Sequence, residues 1–102
     1  MIYVDSAVWK KSLTGRKSYA HMVADDLEEL HAFAAKLGVG KHFFHKSRAG
    51  WHYDITAEKQ ALALSMGARL LTSQELLPRA KALMPSELAP LSEAIRSFRL
   101  SK

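Results

Sequence analysis

Thr56-Ala57-Glu58-Lys59-Gln60-Ala61-Leu62-Ala63-Leu64-Ser65-Met66-Gly67-Ala68-Arg69-Leu70-Leu71-Thr72 is the stretch that decides the fold. Thr56 offers a hydroxyl to the first free amides of a helix over Ala57 to Met66, and Gly67 supplies the backbone freedom that ends one. Arg69 to Thr72 follow almost at once and read as a strand. Helix, glycine turn and strand form an αβ unit, which favours a mixed sheet with a helical cover layer. Just upstream, Trp51-His52-Tyr53-Asp54-Ile55 is aromatic and β-prone, and Ile2-Tyr3-Val4-Asp5 reads as a short first strand stopping at an acid. The predicted architecture is a small single-domain α/β fold over residues 1–102, with a short mixed sheet flanked by helices.

Leu27, Leu30, Ala34 and Leu37 recur at helical spacing with Phe33 beside them, and Gly38 stands where such a helix stops. Asp25, Asp26, Glu28 and Glu29 crowd its start, where exposed amides and the positive dipole end favour negative charge. Lys10 to Lys17 has four basic residues around Gly15 and no apolar period, so a loop is expected there. Residues 39–51 read as a connection with a short turn or strand at His42 to His45. Beyond Ser73 helical character returns, but Pro78, Pro85 and Pro90 lack amide donors, which predicts several short helices. The last, Leu91 to Phe98, gathers Leu91, Ala94, Ile95 and Phe98 on one face, suited to the core or to a second copy in a homo-oligomer.

A chain of 102 residues has room for one core. It contains no cysteine, which excludes disulfide scaffolds, cysteine-ligated zinc and thiol nucleophiles, and the expected compartment is cytoplasmic. The start meets Asp5 before any apolar run, unlike a signal peptide, and no window approaches the roughly 18 apolar residues of a membrane span. No membrane partner is therefore expected. The formal charge of +5 fits an anionic partner, a nucleotide or nucleic acid, although a modest basic excess also serves solubility alone. Phosphate-loop, dinucleotide-binding, serine-esterase and zinc-protease signatures are absent from the sequence.

The residues able to carry chemistry are Asp5, His21, Asp25, Glu28, His31, His52 and Asp54. Carboxylates and imidazoles can hold a divalent metal or divide acid and base roles, because their ordinary pKa values straddle neutrality. Glu28 and His31 form a Glu-x-x-His pair on one helical stripe, with Asp25 a turn earlier; a helix-edge histidine with an ordinary neighbour reads the same way. His21 precedes the helix and can cap it or reach Asp5. His52 and Asp54 share a strand face while Tyr53 points away, or else Asp54 joins Thr56 in capping the next helix. His42, His45, Lys46, Arg48 and Trp51, beside Phe43 and Phe44, could pair with phosphate and stack on bases, or form a solvated loop over two core phenylalanines.

Tyr3-Val4-Asp5, His21-Met22-Val23-Ala24-Asp25, Glu29-Leu30-His31-Ala32-Phe33-Ala34 and His52-Tyr53-Asp54 followed by Gly67-Ala68 resemble domain of unknown function 4031, a family of small bacterial and phage proteins. The resemblance covers about residues 2–76. It implies a family-like core over 1–77 with 78–102 as a helical extension, and makes Asp5, His21, Asp25, Glu29, His31, His52, Tyr53 and Asp54 motif positions without supplying an activity. In architecture the chain is similar to small PIN-like metal-dependent ribonucleases, which gather acids at strand ends around magnesium or manganese. It departs from them after Thr72, where Ser73-Gln74 stands in place of an acid. The expected function is a metal-dependent nuclease or phosphohydrolase using Mg or Mn. Asp5, Asp25 and Asp54 would hold the metal, joined by Glu28 and His31, with His21, His31 or His52 as ligand or proton carrier. The alternative is a non-catalytic module binding nucleotide, nucleic acid or protein, such as a phage inhibitor or nucleotide-sequestering protein.

Overall fold

The axis of the molecule is a ten-residue strand, Gly15–Ala24, which pairs with three others. A computed structural model describes residues 1–6, 8–12 and 15–85; Pro90 and the run expected at 91–98 lie outside them. In chain order the elements are β1 (Ile2–Val4), β2 (Val8–Ser12), β3 (Gly15–Ala24), α1 (Leu27–Leu37), a 3-10 turn (Lys41–Phe43), β4 (Phe44–Ser47), β5 (Gly50–Thr56), α2 (Ala57–Ser65), β6 (Arg69–Leu70) and α3 (Ser73–Ala82). The strands form one mixed sheet in the order β4-β5-β3-β1-β6, with β2 also on β3. β1 and β6 are parallel and the other pairs antiparallel.

Caps explain the helix boundaries. The Asp26 side chain accepts from the Glu29 amide and Gly38 ends α1 at φ 76°, in the left-handed region. Thr56 caps α2, and Thr72 with Glu75 forms a capping box on α3. Register fixes the two faces of the sheet. His21 lies opposite Asp54 and His45 opposite His52, so these four share one face, while Ala20, Met22, Tyr53 and Ile55 belong to the other. α1 and α2 cover the second face, whose buried core includes Val4, Ala20, Met22, Leu30, Leu37, Tyr53 and Ile55. α3 covers the first, so closely that a Cβ on Gly50 would stand 2.5 Å from the Ala80 Cβ. Gly50 also sits at φ 140°, so both its space and its backbone favour glycine.

Two expectations need correction. Residues 10–12 and 15–17 fall in paired strands, since β2 and β3 form a ribbon with Ser12 opposite Gly15. Backbone pairing carries this ribbon, which is why no apolar period announced it. Pro78 does not interrupt the last described helix: α3 runs through it to Ala82. Gln74, whose carbonyl loses a partner to the proline, is exposed, so water can satisfy that group. The short turn or strand expected at His42 to His45 is present as both, the 3-10 turn followed by β4.

Along β3, Val4 opposes Met22 and Val8 opposes Tyr19. Asp5 lies just past β1, where its amide still donates to the His21 carbonyl at 3.1 Å.

Candidate metal centre

Asp5 is 1% exposed, yet its carboxylate is well provided for. Oδ1 accepts from the His21 amide at 2.6 Å, and Oδ2 from His21 Nδ1 at 2.7 Å and the Ser73 hydroxyl at 2.9 Å. The Gln60 side chain donates to the Asp5 carbonyl at 2.9 Å. Burial pushes the Asp5 carboxyl up, but the hydrogen bonds from the His21 ring and amide, with Ser73, outweigh it and hold the group below the usual carboxylate range. Ser73 arrives because β6 runs parallel to β1 and α3 begins just past it. The carboxyl ends of parallel strands are where open α/β sheets place ligands.

Nδ1 of His21 is turned to Asp5, which leaves Nε2 facing the other way, 3.9 Å from Asp54 Oδ1. His52 repeats the arrangement. Its Nδ1 donates to the Gly50 carbonyl at 3.1 Å, and its Nε2 stands 3.3 Å from the same Asp54 Oδ1. Burial, helped by His21 and His45, holds the His52 imidazole below its ordinary range against the opposing pull of the Gly50 carbonyl and Asp54. Asp54 Oδ1 is itself buried without a hydrogen-bond partner among the described residues. One ligand atom each from His21, His52 and Asp54 thus falls within 4.8 Å of the others. At the far oxygen of Asp54, Nε2 of the half-exposed His45 lies 3.1 Å away.

Electron-rich atoms brought so close repel unless a proton or cation lies among them. Metal-binding histidines characteristically give their second nitrogen to a carboxylate or a backbone carbonyl, as His21 gives to Asp5 and His52 to Gly50. Three protein ligands are also the number that leaves coordination positions open for water and substrate. A cleft of about 370 Å³ between α3 and the sheet has His21 and His52 in its wall, with Asp5, Ser73, Leu76 and Leu77.

The structure gathers Asp5, His21, His52 and Asp54 and leaves the other expected ligands elsewhere. Asp25 does not join Asp5 and Asp54. Antiparallel pairing of β1 with β3 carries it past the opposite end of β1, where it is exposed, accepts from Tyr3 Oη at 3.0 Å and pairs with the Met1 amine at 3.2 Å and Arg79 at 3.4 Å. Glu28 is exposed on α1, and His31 meets the Tyr53 hydroxyl at 2.7 Å on the opposite face, so the sheet separates the Glu-x-x-His pair from the cluster. Phe44 packs against Tyr53, and Lys46 stands 5.0 Å over the partly buried Trp51 ring, so these two aromatics are occupied within the fold, whereas Phe43 is exposed. His45 and Ser73 enter through register and strand order, which local reading of the sequence did not supply.

A model described as protein of unknown function (DUF4031) matches residues 2–83. The chain belongs to the DUF4031 family. The matched stretch takes in all of α3, running past the boundary expected at residue 77, so the DUF4031 region contains every residue of the cluster. No curated protein and no solved structure matches this DUF4031 chain. Among its described residues no helix is long and apolar enough to cross a membrane.

Proposed function

We propose that His21, His52 and Asp54 hold one divalent transition-metal ion and that the metal-bearing protein hydrolyses phosphoesters of the nucleotide class. The observation that carries this is the convergence of three ligand atoms on one point, with Asp54 Oδ1 buried and unpartnered and both imidazoles anchored through Nδ1. Two imidazoles and one carboxylate suit zinc, manganese or iron(II) better than magnesium, which prefers oxygen ligands. A bound ion would supply water ionised near neutral pH and neutralise charge on a phosphoryl oxygen. Asp5 fixes the His21 ring, the Gly50 carbonyl fixes that of His52, and His45 beside the second Asp54 oxygen is placed to carry a proton. The net charge of +5 favours approach of an anionic substrate.

The test is calorimetric titration of chelator-treated protein with zinc and manganese, followed by cleavage of bis(p-nitrophenyl) phosphate. One ion per chain is expected, cleavage should require it, and His52→Ala or Asp54→Ala should weaken binding by about 100-fold or more. Binding that ignores these substitutions, or none at all, removes the metal centre. Tight binding without cleavage removes the hydrolase and leaves a non-catalytic module.

A further inference from the structure

We infer that the cleft beside the metal centre selects a small phosphodiester carrying a single negative charge and an uncharged apolar or aryl substituent, and that it discriminates against dianionic phosphate groups. This rests on the metal reading above and adds the substrate class to it.

Charge comes first. The carboxylates of Asp5 and Asp54 together offset one divalent ion, so the loaded centre is near neutral and each negative charge added beyond that goes uncompensated. Among the described residues, those lining the cleft include neither lysine nor arginine. A negative charge placed among apolar walls without a partner is costly. A diester brings one such charge, whereas a monoester or free phosphate near neutral pH brings nearly two, so the cost is smaller for the diester.

The walls point the same way. Opposite the histidines stand Leu76, Leu77 and Ala80 of α3, with Ala49 from the β4–β5 turn and Gly50 from the sheet. The Ser73 hydroxyl is already given to Asp5, and Gln74 adds a neutral amide. About 370 Å³ lies near the lower end of the roughly 300–1,000 Å³ typical of small-molecule sites, which suits one ring-sized group rather than a nucleic-acid duplex. Leu76 is buried in the core, whereas Leu77 is 41% exposed, so Leu77 can be changed without emptying the core.

Zinc-loaded full-length chain is titrated by calorimetry with diphenyl phosphate, a monoanion, and with inorganic phosphate, largely dianionic above neutral pH. Diphenyl phosphate should bind about tenfold or more tighter. Leu77→Ser should weaken it by about tenfold while leaving zinc and inorganic phosphate binding unchanged. Equal or tighter binding of inorganic phosphate overturns the inference, as does a Leu77→Ser protein that binds diphenyl phosphate like the parent. Zinc binding, read in the same titrations, separates the two failures: normal zinc binding with no preference condemns the substrate class alone, and loss of zinc binding from the parent chain condemns the metal centre beneath it.

Discussion

The two faces of β5 treat polar groups in opposite ways. Toward α1, Tyr53 is 1% exposed, its ring packs on Phe44 at 5.1 Å between centroids, and its hydroxyl and the His31 imidazole satisfy each other at 2.7 Å. Toward α3, one residue away on either side, His52 and Asp54 bring a nitrogen and an oxygen to 3.3 Å with Oδ1 left unpartnered. The first face is organised for stability. On the second, the facing acceptors oppose each other in the bare chain, and the ion proposed above would relieve that opposition, a local inconsistency of the kind that functional sites carry.

The largest effects should separate the faces. Tyr53→Ala empties a packed site and strands the His31 ring, and should cost about 3–5 kcal/mol in urea unfolding, as large-to-small aromatic changes do. Asp54→Asn on the other face should leave the metal-free chain as stable or slightly more so, because an amide can donate where two acceptors now face each other. Zinc at about a thousand times its Kd should then stabilise the parent by about 4 kcal/mol and the Asp54→Asn protein far less. An Asp54→Asn protein that loses as much stability without metal as Tyr53→Ala would erase the contrast.

A smaller effect should fall on Asp5. Asp5→Asn keeps the shape but turns a donor toward the His21 amide, or toward His21 Nδ1 and Ser73, which all donate to the present carboxylate. Loss of an outer-shell partner of this kind weakens metal binding by about 10–100-fold. The mismatch should also lower stability by about 1–3 kcal/mol, read in the same unfolding experiment without metal. Unchanged zinc affinity would mean that Asp5 serves the fold alone.

How legible this contrast was depends on the distance over which each part is specified. The alternation His52-Tyr53-Asp54 is local, and period-two geometry alone separates the two faces of β5. The same holds for α1 between Asp26 and Gly38 and for α2 between Thr56 and Gly67, where caps and stops lie within the element. The meeting of His21 with Asp54 is instead set by the register of β3 on β5, and Ser73 reaches Asp5 only because β6 lies beside β1. Grouping Asp5, Asp25 and Asp54 assumed that acids near strand ends share an end. Asp25 follows a strand antiparallel to β1, so its end is the other one. The β2–β3 ribbon was hidden because ladder hydrogen bonds leave no signature in side-chain pattern.

Asp25 provides the finest test, since it was expected in the site and stands apart from it. Its carboxyl is held below the ordinary 3.8 first by the hydrogen bond from the Met1 amine and then by Tyr3, which together outweigh its partial loss of hydration. A carboxyl with a lowered folded pKa gives stability that is present above 3.8 and lost as pH falls through the folded value. The group is fully exposed, so the effect should be modest. Asp25→Asn should therefore flatten the acid limb of the stability profile while leaving zinc binding and diester cleavage intact. The Met1 amine is raised above 8.0 chiefly by Glu29, so its stabilisation, present below 8.0 and lost as pH rises through the raised value, should largely survive Asp25→Asn and fall with Glu29→Gln. If Asp25→Asn weakened zinc binding instead, the terminal cluster and the metal centre would be one electrostatic unit, and the division of labour across β5 would have to be redrawn.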